Sequence, residues 1–185
     1  MRLTGGLDRG RRLIAPRGQR TRPTAAKVRE AIFNILGPVP EGHVLDLYAG
    51  TGSLGLEALS RGAASAVFVE REHGPLSALR RNIKELGFSD RASVVGADVC
   101  TGLRRLAAAG SPARFSWVFI DPPYVKETEG VLAELSGSGL LASCAVIVLE
   151  HDRRNRPPES VGHLFLTDRR EYGDTELSFY RCSGS

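Results

Sequence analysis

His43-Val44-Leu45-Asp46-Leu47-Tyr48-Ala49-Gly50-Thr51-Gly52-Ser53-Leu54-Gly55 decides the fold. An apolar run of strand length enters glycines spaced G-x-G-x-x-G, and an amphipathic stretch from Ser53 to about Arg61 follows. The segment therefore reads as strand, tight turn and helix. Glycines in such a turn let backbone N–H groups approach a ligand closely. Glu70 lies 20 residues beyond Gly50, at the tip of the next strand, where an acid can reach ribose hydroxyls. By spacing alone this is a dinucleotide fingerprint.

Asp46 turns the reading elsewhere. A carboxylate four residues before the first glycine is unwelcome beside a pyrophosphate, yet it attracts a cationic amino-acid group. No separate substrate domain or hydride-acceptor machinery stands out. An adenosine joined to a positively charged methionine tail fits both halves of the pattern, with Asp46 near the ammonium and Glu70 on the ribose diol. That ligand is S-adenosylmethionine.

Outward from this turn the chain alternates. Strands are expected over Ala66–Glu70, Ala92–Val95, Trp117–Ile120 and Ala145–Leu149, with helices over His73–Leu86, about Thr101–Ala108 and about Glu127–Leu135. Leu76, Leu79, Ile83 and Leu86 share one helical face, and Gly87 stops that helix. Strand–helix repetition at this spacing predicts an α/β fold, a doubly wound and mostly parallel sheet with helices on both faces. His163–Thr167 and Glu176–Tyr180 have no helix between them and read as a C-terminal antiparallel hairpin. The whole of 1–185 is expected to be one domain, with an N-terminal arm and helix over 1–36 and the core over 37–185.

Asp121-Pro122-Pro123-Tyr124 follows the apolar run Trp117–Ile120. Two prolines cannot continue a sheet ladder, so the backbone turns, leaving carbonyl acceptors between a carboxylate and an aromatic face. This cluster suits a planar exocyclic amine, whose lone pair is delocalised and whose two N–H groups need acceptors if the nitrogen is to attack. A Pro-Pro turn closing a core strand is the plainer alternative. Asp98 stands at another strand end, where its carboxylate could accept from an adenine amine while the Val99 N–H donates to the ring. Capping the helix that begins near Thr101 is the competing role. Asp46, Gly50, Gly52, Glu70, Asp98 and Asp121 thus all fall at the carboxyl ends of expected parallel strands, the ligand edge of such a sheet.

Charge is uneven. Residues 1–30 hold nine Lys and Arg against Asp8 and Glu30, a local +7 in a chain of net +4, so the remainder is slightly acidic. Arginines dominate the run, and they suit bidentate phosphate contacts and stacking on bases. A solvated tail is the alternative. Arg153 and Arg154 follow the last parallel strand on the same edge and form a second candidate phosphate grip. Cys100, Cys144 and Cys182 have no C-x-x-C spacing and none is near residues 121–124, which argues against a zinc site, a disulfide framework and a cysteine-nucleophile mechanism. No apolar run has the ~20 residues of a membrane span and no signal peptide is evident, so a cytoplasmic chain is expected, without membrane or metal.

The stretch from Asp46 to Ala63, Asp121-Pro-Pro-Tyr124, Arg22-Pro-Thr-Ala-Ala-Lys-Val-Arg-Glu-Ala-Ile-Phe-Asn-Ile-Leu36 and Glu171-Tyr-Gly-Asp-Thr-Glu-Leu177 together resemble the RsmD-type bacterial family of small-subunit ribosomal RNA guanine-N2 methyltransferases. The first two motifs are common to many amino-methyltransferases, whereas the last two are much more particular. The resemblance implies a class I, Rossmann-like methyltransferase that uses S-adenosylmethionine to methylate the exocyclic N2 of one guanine in the small subunit or its assembly intermediate. Asp121, Pro122, Pro123 and Tyr124 would be catalytic. Asp46, Tyr48, Gly50, Thr51, Gly52, Glu70, Arg71, Asp98 and Val99 would hold the cofactor, and Arg9, Arg11, Arg12, Arg22, Lys27, Arg153 and Arg154 the RNA. Leu7-Asp8 stands where the family often has an aromatic-basic pair. The alternative is an amino-methyltransferase acting on another base or on a small-molecule or protein amine.

Overall fold

The computed structural model describes residues 1–16, 23–39, 42–110, 114–122 and 128–183. Its elements run α1 (Pro23–Leu36), β1 (His43–Leu47), α2 (Ser53–Ser60), β2 (Ser65–Glu70), α3 (His73–Leu86), β3 (Ala92–Gly96) and α4 (Val99–Ala108). They continue through β4 (Phe115–Ile120), α5 (Thr128–Gly137), β5 (Leu141–Asp152), β6 (Ser160–Val161), β7 (Leu164–Tyr172) and β8 (Thr175–Cys182). All eight strands share one sheet in the order β3-β2-β1-β4-β5-β8-β7-β6. The first five are parallel, while β8 joins β5 antiparallel and carries β7 and β6 beyond it.

Central strands covered on both faces should be apolar on both, and β4 is: Trp117 and Phe119 face one layer, Val118 and Ile120 the other. Val28, Ile32 and Phe33 of α1, Leu56 and Leu59 of α2 and Leu79, Ile83 and Leu86 of α3 pack the first layer. Val99 and Leu103 of α4 with Val131, Leu132 and Leu135 of α5 pack the second. The chain moves outward from β1 through β2 to β3, then returns to lay β4 on the other side of β1. Strand order therefore reverses between β1 and β4, and a crevice opens at their carboxyl ends.

Three expectations change. β5 spans twelve residues rather than Ala145–Leu149, because its later half is a parallel partner of β4 and an antiparallel partner of β8, up to Asp152↔Thr175. The C-terminal hairpin is longer than expected, turns at Gly173 with φ 67°, and is joined by the short β6. The third change concerns the N-terminal arm. Residues 1–13 form a docked hairpin: the Leu3 N–H donates to the Arg11 carbonyl at 3.0 Å and the Leu13 N–H to that of Met1 at 3.0 Å. Leu3 and Leu13 are buried with α1 and α2. A fully buried Glu57 on α2 fastens this hairpin, accepting from the Thr4 N–H and hydroxyl at 2.8 Å each and from Arg61 Nε at 2.8 Å. Arg29, counted among the arm's charges, is instead buried 3.6 Å from Glu57 and donates to the Arg2 carbonyl.

Candidate active site

The carboxyl ends of β1, β2, β4 and β5 bring Asp46, Glu70, Asp121 and Glu150 to one edge. Asp46 is buried on the α2 side of the sheet, where the Gly55 N–H donates to its Oδ2 at 2.8 Å. A side chain at position 55 would put its Cβ 2.4 Å from the Phe68 ring and 3.1 Å from that Oδ2, so the last glycine of the turn is a requirement of close approach. Burial pushes the Asp46 carboxyl up to about 8; the Gly55 N–H opposes this, and the charges of Asp121 and Glu70 add to it.

Glu70 closes the turn from β2. Its Oε2 accepts from the Gly50 N–H at 2.8 Å and its Oε1 from the Glu72 N–H at 2.7 Å, leaving a further lone pair on each oxygen. Tyr48, directly after β1, has φ 57°, a left-handed conformation that an aromatic residue rarely adopts and that sits where the turn begins. Thr51 is nearly buried, and its carbonyl accepts from Asn82 Nδ2 at 3.0 Å. The same amide accepts from the Ile14 N–H at 2.7 Å and donates to the Ile14 carbonyl at 3.1 Å. One buried side chain of α3 therefore ties the glycine turn to the segment that follows the N-terminal hairpin, a link with no local pattern to announce it.

Asp121 follows the last residue of β4, the strand paired with β1, and its charge acts on Asp46 beside the turn. It is exposed on one side yet set among protein atoms on the others, and this desolvation raises its carboxyl to about 6. Pro122 beside it is half-buried; Pro123 and Tyr124 lie outside the described residues. Glu150 was missed in the sequence because it looks like the polar end of an apolar strand. Its burial, and then the charge of Asp121, push it up to about 8. The signal that finds it is register, since Ile120 pairs with Leu149 and Glu150 is the next residue beside Asp121.

Asp98 caps α4, its Oδ1 accepting from the Thr101 N–H at 3.0 Å, so the competing role is filled and α4 starts two residues earlier than expected. Val99 buries its side chain, while its N–H, at the first helical position, is among those that helix geometry leaves without an intrahelical acceptor. Arg71 donates to Glu72 at 3.1 Å. Among the basic candidates, Arg9, Arg12, Lys27 and Arg153 are exposed. Arg11 pairs with Asp8 at 2.9 Å and also donates to the Glu85 carbonyl. Arg154 is engaged by Asp152, with contacts of 2.9 and 2.5 Å. Arg22 lies outside the described residues. No cluster of His, Cys, Asp and Glu among the described residues has the form of a metal site.

The edge thus gathers a buried carboxyl held by the Gly55 N–H, a carboxylate that accepts from the Gly50 and Glu72 N–H groups, and a desolvated carboxyl at the end of β4. A family model, that of conserved hypothetical protein 95, matches residues 1–181. YlbH of Bacillus subtilis, provisionally named an rRNA methyltransferase, is 39% identical over 186 positions and covers 100% of both chains. Ribosomal RNA small subunit methyltransferase D of Escherichia coli K12 is 36% identical, covering 98% of this chain and 89% of its own. The solved structure of yhhF from Escherichia coli superposes with a TM-score of 0.86 at 32% identity, covering 100% of this chain and 99% of its own.

Proposed function

This chain belongs to that family, and on that premise we propose that it transfers a methyl group from S-adenosylmethionine to the exocyclic N2 of a guanine in small-subunit ribosomal RNA. The observation that carries the reading is the placement of Asp121, one residue beyond β4, across the strand-order reversal from Asp46 and the glycine turn. The residues fit the methyl donor. Asp46 suits its cationic tail, the Glu70 lone pairs its ribose diol, and the Val99 N–H its adenine, with the side chain of Asp98 already used as a helix cap. When bound, S-adenosylmethionine supplies an electrophilic methyl on a sulfonium.

The protein's own work is positional. Asp121 and the Pro122 carbonyl accept the two N–H groups of the guanine amine and aim its nitrogen, and Tyr124 stacks on the base. An ordinary carboxylate is a poor base near neutrality. At about 6, Asp121 is better matched to take the proton released as the N–C bond forms. A base inside a helix has to be unstacked first, at a cost of a few kcal/mol as an order of magnitude. Arg9 and Arg12 of the docked hairpin, with Lys27 and Arg153, would hold phosphates. Such work belongs to the cytoplasm; no helix among the described residues is long and apolar enough to cross a membrane.

The test is to incubate purified small subunits, naked ribosomal RNA and free nucleotides with labelled S-adenosylmethionine and to map the modified atom. Label on guanine N2 of subunits or their RNA is expected. Label on a free nucleotide, a protein or another base atom would move the enzyme to a different amine.

A further inference from the structure

Glu150 has no part in the mechanism so far. β4 and β5 run parallel in the register Phe119↔Val148 and Ile120↔Leu149, so Asp121 and Glu150 are the residues that follow the last paired rung on neighbouring strands, close enough for the charge of Asp121 to act on Glu150. Side chains alternate along a strand. Leu149 belongs to the layer of α4 and α5, which turns Glu150 to the opposite face, the face of Asp46, whose carboxyl the charge of Asp121 also reaches. On its other side Glu150 is paired with Leu177, which is fully buried and has no polar group to offer.

Two fully buried glutamates elsewhere in the molecule have cationic partners. Glu57 has Thr4, Arg61 and Arg29, and Glu176 has Arg156 Nε at 3.2 Å and Nη2 at 3.0 Å. Glu150 is half-buried and receives no hydrogen bond or ion pair from any described residue. A carboxyl group left in that condition at a crevice awaits a partner from outside.

Guanine presents the partner. Along its Watson–Crick edge the N2 amine is followed by the N1–H donor and the O6 acceptor. With the amine held at Asp121, the rest of that edge extends across one strand spacing toward β5. We propose that Glu150 is a specificity-determining residue whose carboxyl group pairs with the N1–H and O6 of the target guanine while Asp121 and the Pro122 carbonyl hold N2. An un-ionised carboxyl accepts through its C=O and donates through its O–H, the complement of that lactam edge. Burial and the neighbouring Asp121 favour this form near neutral pH.

This inference rests on the guanine-N2 reading, and its experiment separates the two. Wild type, Glu150→Gln and Glu150→Ala are each given small-subunit RNA carrying either guanine or 2-aminopurine at the mapped position. The analogue keeps the amine and the stacking surface but lacks N1–H and O6. For guanine, Glu150→Ala should lower kcat/KM by about 10- to 100-fold, the discrimination expected of one good two-point base contact, with S-adenosylmethionine affinity unchanged. For 2-aminopurine the same variant should change little. Glu150→Gln, which keeps an acceptor and a donor, should stay within about threefold of wild type on guanine. Equal losses on both bases, or a Gln variant as poor as Ala, overturns the role of Glu150 alone. Failure of the wild type to methylate guanine N2 overturns both readings.

Discussion

Two sets of desolvated carboxylates divide this molecule. Glu57 under the N-terminal hairpin and Glu176 in the C-terminal sheet are fully buried beside arginines, Glu57 with Thr4 as a further donor and Glu176 with its Oε1 held only at ion-pair distance from Arg169. Asp46 at the ligand edge is nearly as buried but has one N–H for a partner, and Asp121 and Glu150 beside it have no donor among the described residues. A buried charge met by cations serves the architecture. One left short of donors repels its neighbours, titrates high and is open to a ligand. The contrast matters because composition cannot tell the two sets apart.

Removing the paired kind should have the largest effect. Glu57→Ala strands Arg29 in the core and frees Thr4, so unfolding free energy should fall by about 3–5 kcal/mol, the usual cost of leaving a buried partner uncompensated. Chemical denaturation measures it, and a loss under about 1 kcal/mol would erase the distinction. Removing the unpaired kind should instead spare the fold and damage chemistry. Asp121→Ala is expected to lower kcat by at least about 10²- to 10³-fold, the scale for losing one oriented polar group in an active site, with S-adenosylmethionine affinity nearly intact. Near-normal turnover would remove Asp121 from the mechanism.

Much of this was legible in advance, and for local reasons. The strand–helix alternation, the glycine turn and the placement of Asp46, Glu70 and Asp121 at strand ends rest on periodicity and on turn residues, which act over a few positions. What escaped is non-local. Glu150 gains its meaning only from the pairing of β4 with β5, and Asn82 only from contact with both Thr51 and Ile14. Arg29 looked like one more surface charge because nothing in 1–30 reveals Glu57 beneath it. The arm was read from its basic run, which hides Leu3 and Leu13, the two apolar positions that dock it.

The unpaired set also makes a prediction about pH. Asp46 and Glu150 at about 8 and Asp121 at about 6 stand above the ordinary carboxylate value near 4, so the folded protein binds more protons than the unfolded chain across that interval. Stability from these groups is therefore fully present below about pH 4 and is lost as pH rises through 6 to 8. Asp152, held low by Arg154, acts in the opposite sense and only at acid pH, outside that window. The melting temperature of the ligand-free protein should drop by several degrees between pH 5 and 9, at about 2–4 °C per kcal/mol for a chain of this size. Asp46→Asn, which keeps an acceptor for Gly55, should flatten the slope. A variant with the wild-type slope would show that Asp46 is not the group responsible.

The smallest expected effect tests the hairpin, where pairing again separates residues that look alike. Arg9 and Arg12 are exposed and have no side-chain partner among the described residues, whereas Arg11 is held by Asp8 and the Glu85 carbonyl. If the free pair contacts phosphates, each replacement by alanine should reduce the slope of log affinity against log salt by about 0.7–0.9, as fewer counterions are released on binding RNA. Arg11→Ala should change that slope less and loosen the hairpin instead. Cofactor affinity should be untouched by Arg9→Ala and Arg12→Ala, because both side chains are exposed and the hydrogen bonds that hold the glycine turn come from other residues. Asn82→Ala should weaken both ligands, since it cuts the bond between Ile14 and Thr51. Salt series for RNA and calorimetry for S-adenosylmethionine, run on all four variants, decide the matter. An unchanged RNA slope for Arg9→Ala and Arg12→Ala would make the hairpin an architectural element, and loss of cofactor binding in those two would extend the coupling through Asn82 to its surface.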